Sequence, residues 1–358
     1  MSGGANVTPR FNVGLSRDFL GADGVTVAWG DIGLDELDAT PWIDWAFLTT
    51  DASELTAADV ADYDALLING PRITAQTVAD SSRLGVIARF GVGYDNVDVE
   101  ACAASGILVT NTPNGVRRPV ASSVLCLLLA LAHRLLDKND ITRNGRWNDR
   151  LSMMGRSLTG ATVGLVGYGN IGREVARLLE PLSVRLLVTD PRVASGPMPE
   201  THADASATDL RTLLREADFV VLLCPLTETT FHLIGAAELS VMKDTSYLIN
   251  VSRGQVVDEQ ALVDALRSGK LLGAALDVFE AEPLDSRSAL LDLPQVILTP
   301  HSLCWNNEMA WNCGSTAIRS VIQVSQGRAP EFIVERSALT TAACMHRLAT
   351  YAAARAGL

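Results

Sequence analysis

Short apolar and β-branched runs alternate with amphipathic stretches along the chain, the pattern of repeated βα units and parallel sheets. The runs fall into two sets. The first predicts strands at 25–29, 65–69, 84–90 and 107–110, with helices over 56–62 and 74–80. The second follows a long apolar helix at 119–136 and predicts strands at 162–166, 185–189, 219–223, 247–251, 272–276 and 296–298. Helices are expected over 171–179, 210–215, 236–242 and 259–268, the last ending at Gly269, which suits a helix C-terminus. A further helix over 305–324 leads into GRAPEFIVERSAL, which returns the chain to the first set. The expected class is α/β: two Rossmann-like or flavodoxin-like domains, each a doubly wound parallel sheet, with a cleft between them. The Ala-rich tail 340–358 has no readable role.

A length of 358 residues accommodates two cores, and 48% hydrophobic with 20% charged residues is the composition of a folded chain. The net charge of −12 argues against nucleic acid or an anionic membrane as partner. The apolar stretch 120–136 contains Ser122, Ser123 and His133 between Arg118 and Arg134, so it reads as a buried helix rather than a membrane span. MSGGANVTPR lacks the apolar run of a signal peptide and reads as a frayed leader. Six cysteines without CxxC spacing suit reduced thiols in the cytoplasm, and among five dispersed histidines only His346 has a nearby cysteine, Cys344, so no metal site is expected.

The run TVGLV is followed by Gly167-Tyr168-Gly169-Asn170-Ile171-Gly172, which opens a predicted helix. That is the context a dinucleotide-binding GxGxxG needs: a tight turn at the first Gly, close backbone approach at the second, and helix-on-strand packing at the third. Pyrophosphate would then lie on the helix N-terminus, where unpaired N–H groups favour an anion. Eighteen residues past Gly172 the run RLLVT ends in Asp190, placed to accept hydrogen bonds from a ribose diol, which favours NAD over NADP. Arg192 could soften that preference. The bland alternative, a Gly-rich turn beside a surface Asp, leaves both strand-end positions unexplained.

Arg253, Glu282 and His301 each follow an apolar run, as do the pair Cys224-Pro225 and Asp277. In an open parallel sheet these positions border one crevice. Singly each residue has an ordinary structural explanation, but together they match one chemistry. Hydride transfer to a 2-oxo acid needs a proton donor for the carbonyl oxygen, which His301 supplies, and a cation for the carboxylate, which Arg253 supplies in bidentate form. Glu282 beside the imidazole would orient it and favour its charged form.

ARFGVGYDNVDVEA (88–101), NTPNG (111–115), VGLVGYGNIG (163–172), NVSRGQVVDEQAL (250–262), GAALDVFEAEPL (273–284) and LTPHS (298–302) occur in this order over most of the chain. In these stretches the chain resembles the D-isomer-specific 2-hydroxyacid dehydrogenases. The resemblance implies that Arg253, Glu282 and His301 form the catalytic triad, with His301 as acid and base. It implies cofactor contacts from Val92, Asn170, Ile171, Asp190, Cys224, Pro225, Val251 and Asp277, and substrate-carboxylate binding by backbone amides of Gly91-Val92-Gly93. It implies a substrate-binding domain at 1–115 plus 320–358, an NAD-binding Rossmann domain at 116–319, and a homodimer built through the latter. Two departures stand out: Ser122 replaces a common Glu, and SLCW after the histidine places Trp305 where it could wall or crowd the substrate. Arg72, Arg89, Arg117 and Arg118 are candidates for a distal anion. Glyoxylate, hydroxypyruvate, phosphoglycerate and phosphonopyruvate types all stay open, as do phosphite oxidation on the same fold and a non-catalytic, NAD-sensing corepressor-like scaffold. Glu282 argues against formate oxidation, for which relatives carry a glutamine.

Overall fold

The structure, a computed structural model, describes residues 10–79, 81–193, 195–198 and 205–356. Apart from Arg10, the expected leader lies outside the described residues, as does Asp80 at the end of an expected helix. The chain divides into two units, Met1–Val116 with Trp305–Leu358, and Arg117–Cys304.

In the first unit β1 (Phe11–Leu15), β2 (Ile43–Phe47), β3 (Ala65–Ile68), β4 (Val86–Arg89) and β5 (Leu108–Thr110) form a five-stranded sheet in the order β2-β1-β3-β4-β5. Every pairing is parallel, and this is the flavodoxin-like winding. β3 reads ALLI with every residue buried, because a parallel sheet is covered on both faces. The edge strand β2, IDWAF, alternates buried and accessible positions instead.

In the second unit β6 (Thr162–Val166), β7 (Arg185–Thr189), β8 (Gly196–Pro197), β9 (Ala205–Ala207), β10 (Phe219–Leu222), β11 (Tyr247–Asn250), β12 (Gly273–Leu276) and β13 (Val296–Leu298) form an eight-stranded sheet. Its order is β13-β12-β11-β10-β6-β7-β9-β8, parallel except for the short β8–β9 pair. The winding reverses between β6 and β10, so the segments leaving those two strands flank a switch point, where ligands of such sheets bind.

Several expectations are corrected. Residues 25–29 are not a strand: although VTVAW alternates, Val25 is 79% exposed and the segment makes only one bridge, Leu20 to Val27. The strands β1, β2, β8 and β9 were not expected. The long helix is Arg117–His133; Arg134, with a φ of 52°, breaks it, and Leu135–Arg143 continues at a 58° bend. Among the described residues no single helix is long and apolar enough to cross a membrane. The helix Asn307–Ser325 packs whole against β3 and β4, so the chain returns to the first unit at Trp305 rather than at residue 320. The unread tail is the helix Ala342–Arg355, fastened to the same unit by Tyr351 Oη donating to Arg83 O at 2.6 Å and by its ring lying edge-on to Phe11.

Candidate active site

The nucleotide turn follows from the geometry of β6 and the helix Asn170–Leu179. Gly167 has a φ of 105° and touches the chain leaving β10, so a Cβ there would lie 2.8 Å from Cys224 N. A Cβ on Gly172 would lie 2.5 Å from Gly167 O, which locks helix onto turn. Gly169 differs, since a Cβ there would meet only the Arg192 guanidinium, at 3.7 Å. No side chain caps this helix start, so the turn is open on its Gly169 side and fits a pyrophosphate held by the amides of Asn170, Ile171 and Gly172. Cys224 is buried and its thiol is pushed up to about 11, an apolar wall rather than a reactive group; Pro225 is exposed beside it and Val251 half-buried.

Asp190 directly follows β7, with its side chain 4% exposed. Its carboxylate accepts from Tyr168 N at 2.8 Å and from the exposed Arg192 through Nε and Nη2, both at 3.0 Å. The Arg192 bonds, followed by the Tyr168 amide, outweigh burial and hold the Asp190 carboxyl far below the usual carboxylate range. A buried, permanently ionised carboxylate therefore stands beside the Gly turn.

The catalytic candidates converge at the carboxyl ends of β11, β12 and β13. His301 Nδ1 lies 2.7 Å from Glu282 Oε2, and Glu282 Oε1 accepts from Phe279 N at 3.0 Å. Burial pushes the Glu282 carboxyl up, but the His301 bond, the Phe279 amide and the Arg253 charge bring it net below its ordinary value. Arg253 thus stands close enough to act electrostatically on the pair. Its Nη1 donates to Ser252 O at 2.8 Å, which steadies the guanidinium. His301 itself has a φ of 53°, a left-handed backbone that a histidine adopts only under local constraint.

That constraint comes from Asp277. Its Oδ1 accepts from Thr299 Oγ1 at 2.6 Å, Ser302 N at 3.1 Å and Leu303 N at 3.2 Å, so one carboxylate gathers both sides of the histidine turn. Burial raises the Asp277 carboxyl, against the pull of these donors.

The first unit holds the Gly91-Val92-Gly93 turn. Gly91 has a φ of 128°, and its N–H donates to the buried Thr112 Oγ1 at 2.9 Å while its carbonyl accepts from Thr112 N at 2.8 Å. The expectation that the Gly91 amide binds an anion is therefore corrected: it is already engaged. The amides of Val92 and Gly93 meet no acceptor among the described residues and are the ones left for a carboxylate. The Arg89 guanidinium folds back over Gly91 and bonds Phe90 O, whereas Arg72 is exposed, with its backbone tied to Ser53 and Leu55. Arg118 bonds Glu174 at 2.8 Å, which makes it a structural cation rather than an anion reader, and Arg117 is exposed at the helix start. No cluster of three or more His, Cys, Asp or Glu side chains suited to a metal occurs among the described residues.

Residues 125–302 match the family model described as D-isomer specific 2-hydroxyacid dehydrogenase, NAD binding domain. The glyoxylate reductase of Thermococcus gammatolerans is 38% identical over 290 residues, 79% of this chain and 86% of that protein. The chain belongs to the D-isomer-specific 2-hydroxyacid dehydrogenases. The hydroxypyruvate reductase of Thermotoga maritima is 37% identical over 245 residues, covering 68% and 78% of the two chains. The crystal structure of the NADPH-dependent glyoxylate/hydroxypyruvate reductase of Sinorhizobium meliloti, in complex with citrate, superposes with a TM-score of 0.75 at 30% identity, covering 92% and 99%. This dehydrogenase thus transfers a hydride between a nicotinamide dinucleotide and a 2-hydroxy/2-oxo acid pair.

Sequence reasoning missed residues that position the candidate catalytic side chains. Asn250, 1% exposed at the end of β11, donates through Nδ2 to Arg253 O at 2.9 Å and accepts from Ser252 N and Oγ at 3.0 and 2.8 Å. A polar residue closing the apolar run YLIN was the available signal. Gly254 packs so tightly that a Cβ would lie 1.8 Å from the Phe279 carbonyl carbon, a closeness no sequence pattern reveals.

Proposed function

We propose that the enzyme reduces small 2-oxo acids of the glyoxylate and hydroxypyruvate type with NADH and oxidises the corresponding D-2-hydroxy acids in reverse. The observation that carries this reading is the His301–Glu282 pair at 2.7 Å, set on the same sheet rim as Arg253 and the Gly turn. A bound nicotinamide would supply or accept the hydride at the acid's C2. With Nδ1 held by Glu282, His301 has Nε2 left to give a proton to the carbonyl oxygen in reduction and to take it back in oxidation. Arg253 forks onto the carboxylate and carbonyl oxygens, and the Val92 and Gly93 amides of the first unit suit a carboxylate. Substrates of the kind named for the two curated relatives fit these groups.

For the coenzyme, the ionised Asp190 supports NAD, because a 2′-phosphate would meet its charge at short range. Arg192 counterbalances part of that charge and leaves NADP a foothold, as the NADPH dependence of the Sinorhizobium meliloti protein illustrates for a relative. The arm after the long helix exposes Leu135, Leu136, Trp147, Leu151 and Met154, the last two at 78% and 75%, an apolar surface that supports a homodimer made through the cofactor-binding unit. Six free cysteines among the described residues support a reducing, cytoplasmic setting.

The test is NADH consumption against glyoxylate, hydroxypyruvate, pyruvate, phosphohydroxypyruvate and phosphonopyruvate. His301→Ala should lower kcat by roughly 10²–10⁴-fold while NADH still quenches or transfers fluorescence on binding. A His301→Ala enzyme with wild-type turnover would sink the mechanism.

A further inference from the structure

An aromatic cluster that no catalytic step uses lies beside the Gly91 turn. Phe90, fully buried, immediately precedes Gly91, and its ring meets Phe19 edge-on at 5.1 Å and Trp29 edge-on at 4.9 Å. Trp305 then lies over Trp29 with ring centroids 4.2 Å apart and an interplanar angle of 43°. The series runs from a ring with no exposure, through the half-buried Trp29, to Trp305, which is 50% exposed.

The cluster is held in place from below. The loop carrying Trp29 is closed by Gly21 N donating to Thr26 O at 2.8 Å and Ala28 N donating to Phe19 O at 2.9 Å. Trp29 Nε1 donates to Asp18 O at 3.3 Å, so the polar atom of that indole is engaged and its ring offers carbon. Asp18 in turn accepts from Gly70 N at 2.6 Å. A rigid, carbon-faced step therefore rises from the residue next to the proposed carboxylate turn and opens to solvent at Trp305, four positions beyond His301 in the chain.

An indole left half exposed near the proposed carboxylate turn offers apolar surface that a ligand's side chain can cover. The carboxylate and the side chain of a 2-oxo acid are separated by a single carbon. An acid whose carboxylate rests on the Val92 and Gly93 amides must place its side chain within a few ångströms of that turn.

We propose that Trp29 and Trp305 form the specificity wall for the acid's side chain, and that the enzyme prefers 2-oxo acids with a branched aliphatic or aromatic side chain over glyoxylate. This rests on the 2-oxo acid reduction proposed above and moves its preferred substrate from glyoxylate and hydroxypyruvate to acids with a larger apolar side chain. Neither residue takes part in proton or hydride transfer.

The experiment measures kcat and KM with NADH for glyoxylate, pyruvate, 2-oxobutanoate, 4-methyl-2-oxopentanoate and phenylpyruvate. The wild-type kcat/KM should climb along the series by at least about tenfold, the discrimination that one or two methylene-sized contacts in an apolar pocket provide. Trp305→Ala should flatten the climb, chiefly through KM for the larger acids, and Trp305→Phe should restore most of it. Two results overturn the wall: glyoxylate preferred over the larger acids with the ranking unmoved by Trp305→Ala, or larger acids turned over faster by Trp305→Ala, which would make the indole an obstruction. If neither NADH nor NADPH is oxidised with any of these acids, the underlying function fails, and the wall with it.

Discussion

Replacing Gly254 with alanine tests whether backbone contact, rather than any side-chain bond, sets the proposed Arg253, Glu282 and His301 arrangement. The added Cβ would stand 1.8 Å from Phe279 C, 1.9 Å from Phe279 O and 2.3 Å from Glu280 N, where ordinary contact begins at 3.4 Å. All three obstacles are backbone, so no rotamer change relieves them, and the two segments must part by about 1.6 Å. One segment carries Arg253; the other carries the Phe279 amide that holds Glu282 at 3.0 Å and, through it, His301 at 2.7 Å. Overpacking of this kind costs roughly 1–3 kcal/mol of stability, and a displacement of about 1 Å between reacting groups costs on the order of 10²-fold in rate. Gly254→Ala should therefore lower kcat/KM about a hundredfold with hydroxypyruvate, while NADH affinity, set by the Gly167 turn on β6, changes by less than about threefold. Gly269→Ala is the matched control. Gly269 has a φ of 73° and nothing within 4 Å of a built Cβ, so alanine there strains only the backbone. It should cost about 1 kcal/mol, lower Tm by about 2–4 °C, and leave kcat/KM alone. Steady-state kinetics, NADH fluorescence titration and thermal melts on the two variants decide the matter. A Gly254→Ala enzyme within about twofold of wild-type kcat/KM would refute the reasoning, as would a Gly269→Ala enzyme equally impaired.

Arg253→Lys keeps the charge but loses the fork, and should lower kcat and raise KM together, by about tenfold or more overall in steady-state assays; equal kinetics would deny bidentate binding. Arg192→Ala removes the partner that neutralises Asp190, so the ratio of NADPH to NADH dissociation constants should rise by roughly tenfold, and a ratio that falls would contradict the role given to Asp190. Glu174 is held down to about 2 by Arg177 and Arg118, so its stabilising contribution is present above its ordinary pKa and lost as pH falls toward 2. After allowance for solvent screening that contribution is roughly 1 kcal/mol; urea midpoints of wild type and Glu174→Gln should differ at pH 6 and converge near pH 2, and a gap that widens on acidification would reverse the argument.

The hydrophobic pattern by itself determined six of the second unit's strands, because the central ones, β6, β10, β11 and β12, are buried on both faces and read as largely apolar runs, whereas the short β8 and β9 give no such signal. Those runs also pointed to the proposed site: Asp190, Arg253, Glu282 and His301 each come after an apolar strand, the end at which an α/β sheet binds ligands. The first unit was less legible. The edge strand β2 and the polar-interrupted β1 do not stand out from their flanks, and VTVAW alternates like a strand but makes a single bridge, to Leu20. What only the tertiary structure decided are contacts between segments distant in the chain: Gly254 against Phe279, Asp277 gathering the His301 turn, Thr112 consuming the Gly91 amide, and Trp305 laid over Trp29. Periodicity reports which face a residue is buried on, whereas hydrogen-bond partners and close approaches depend on where separate elements meet, which the sequence pattern does not record.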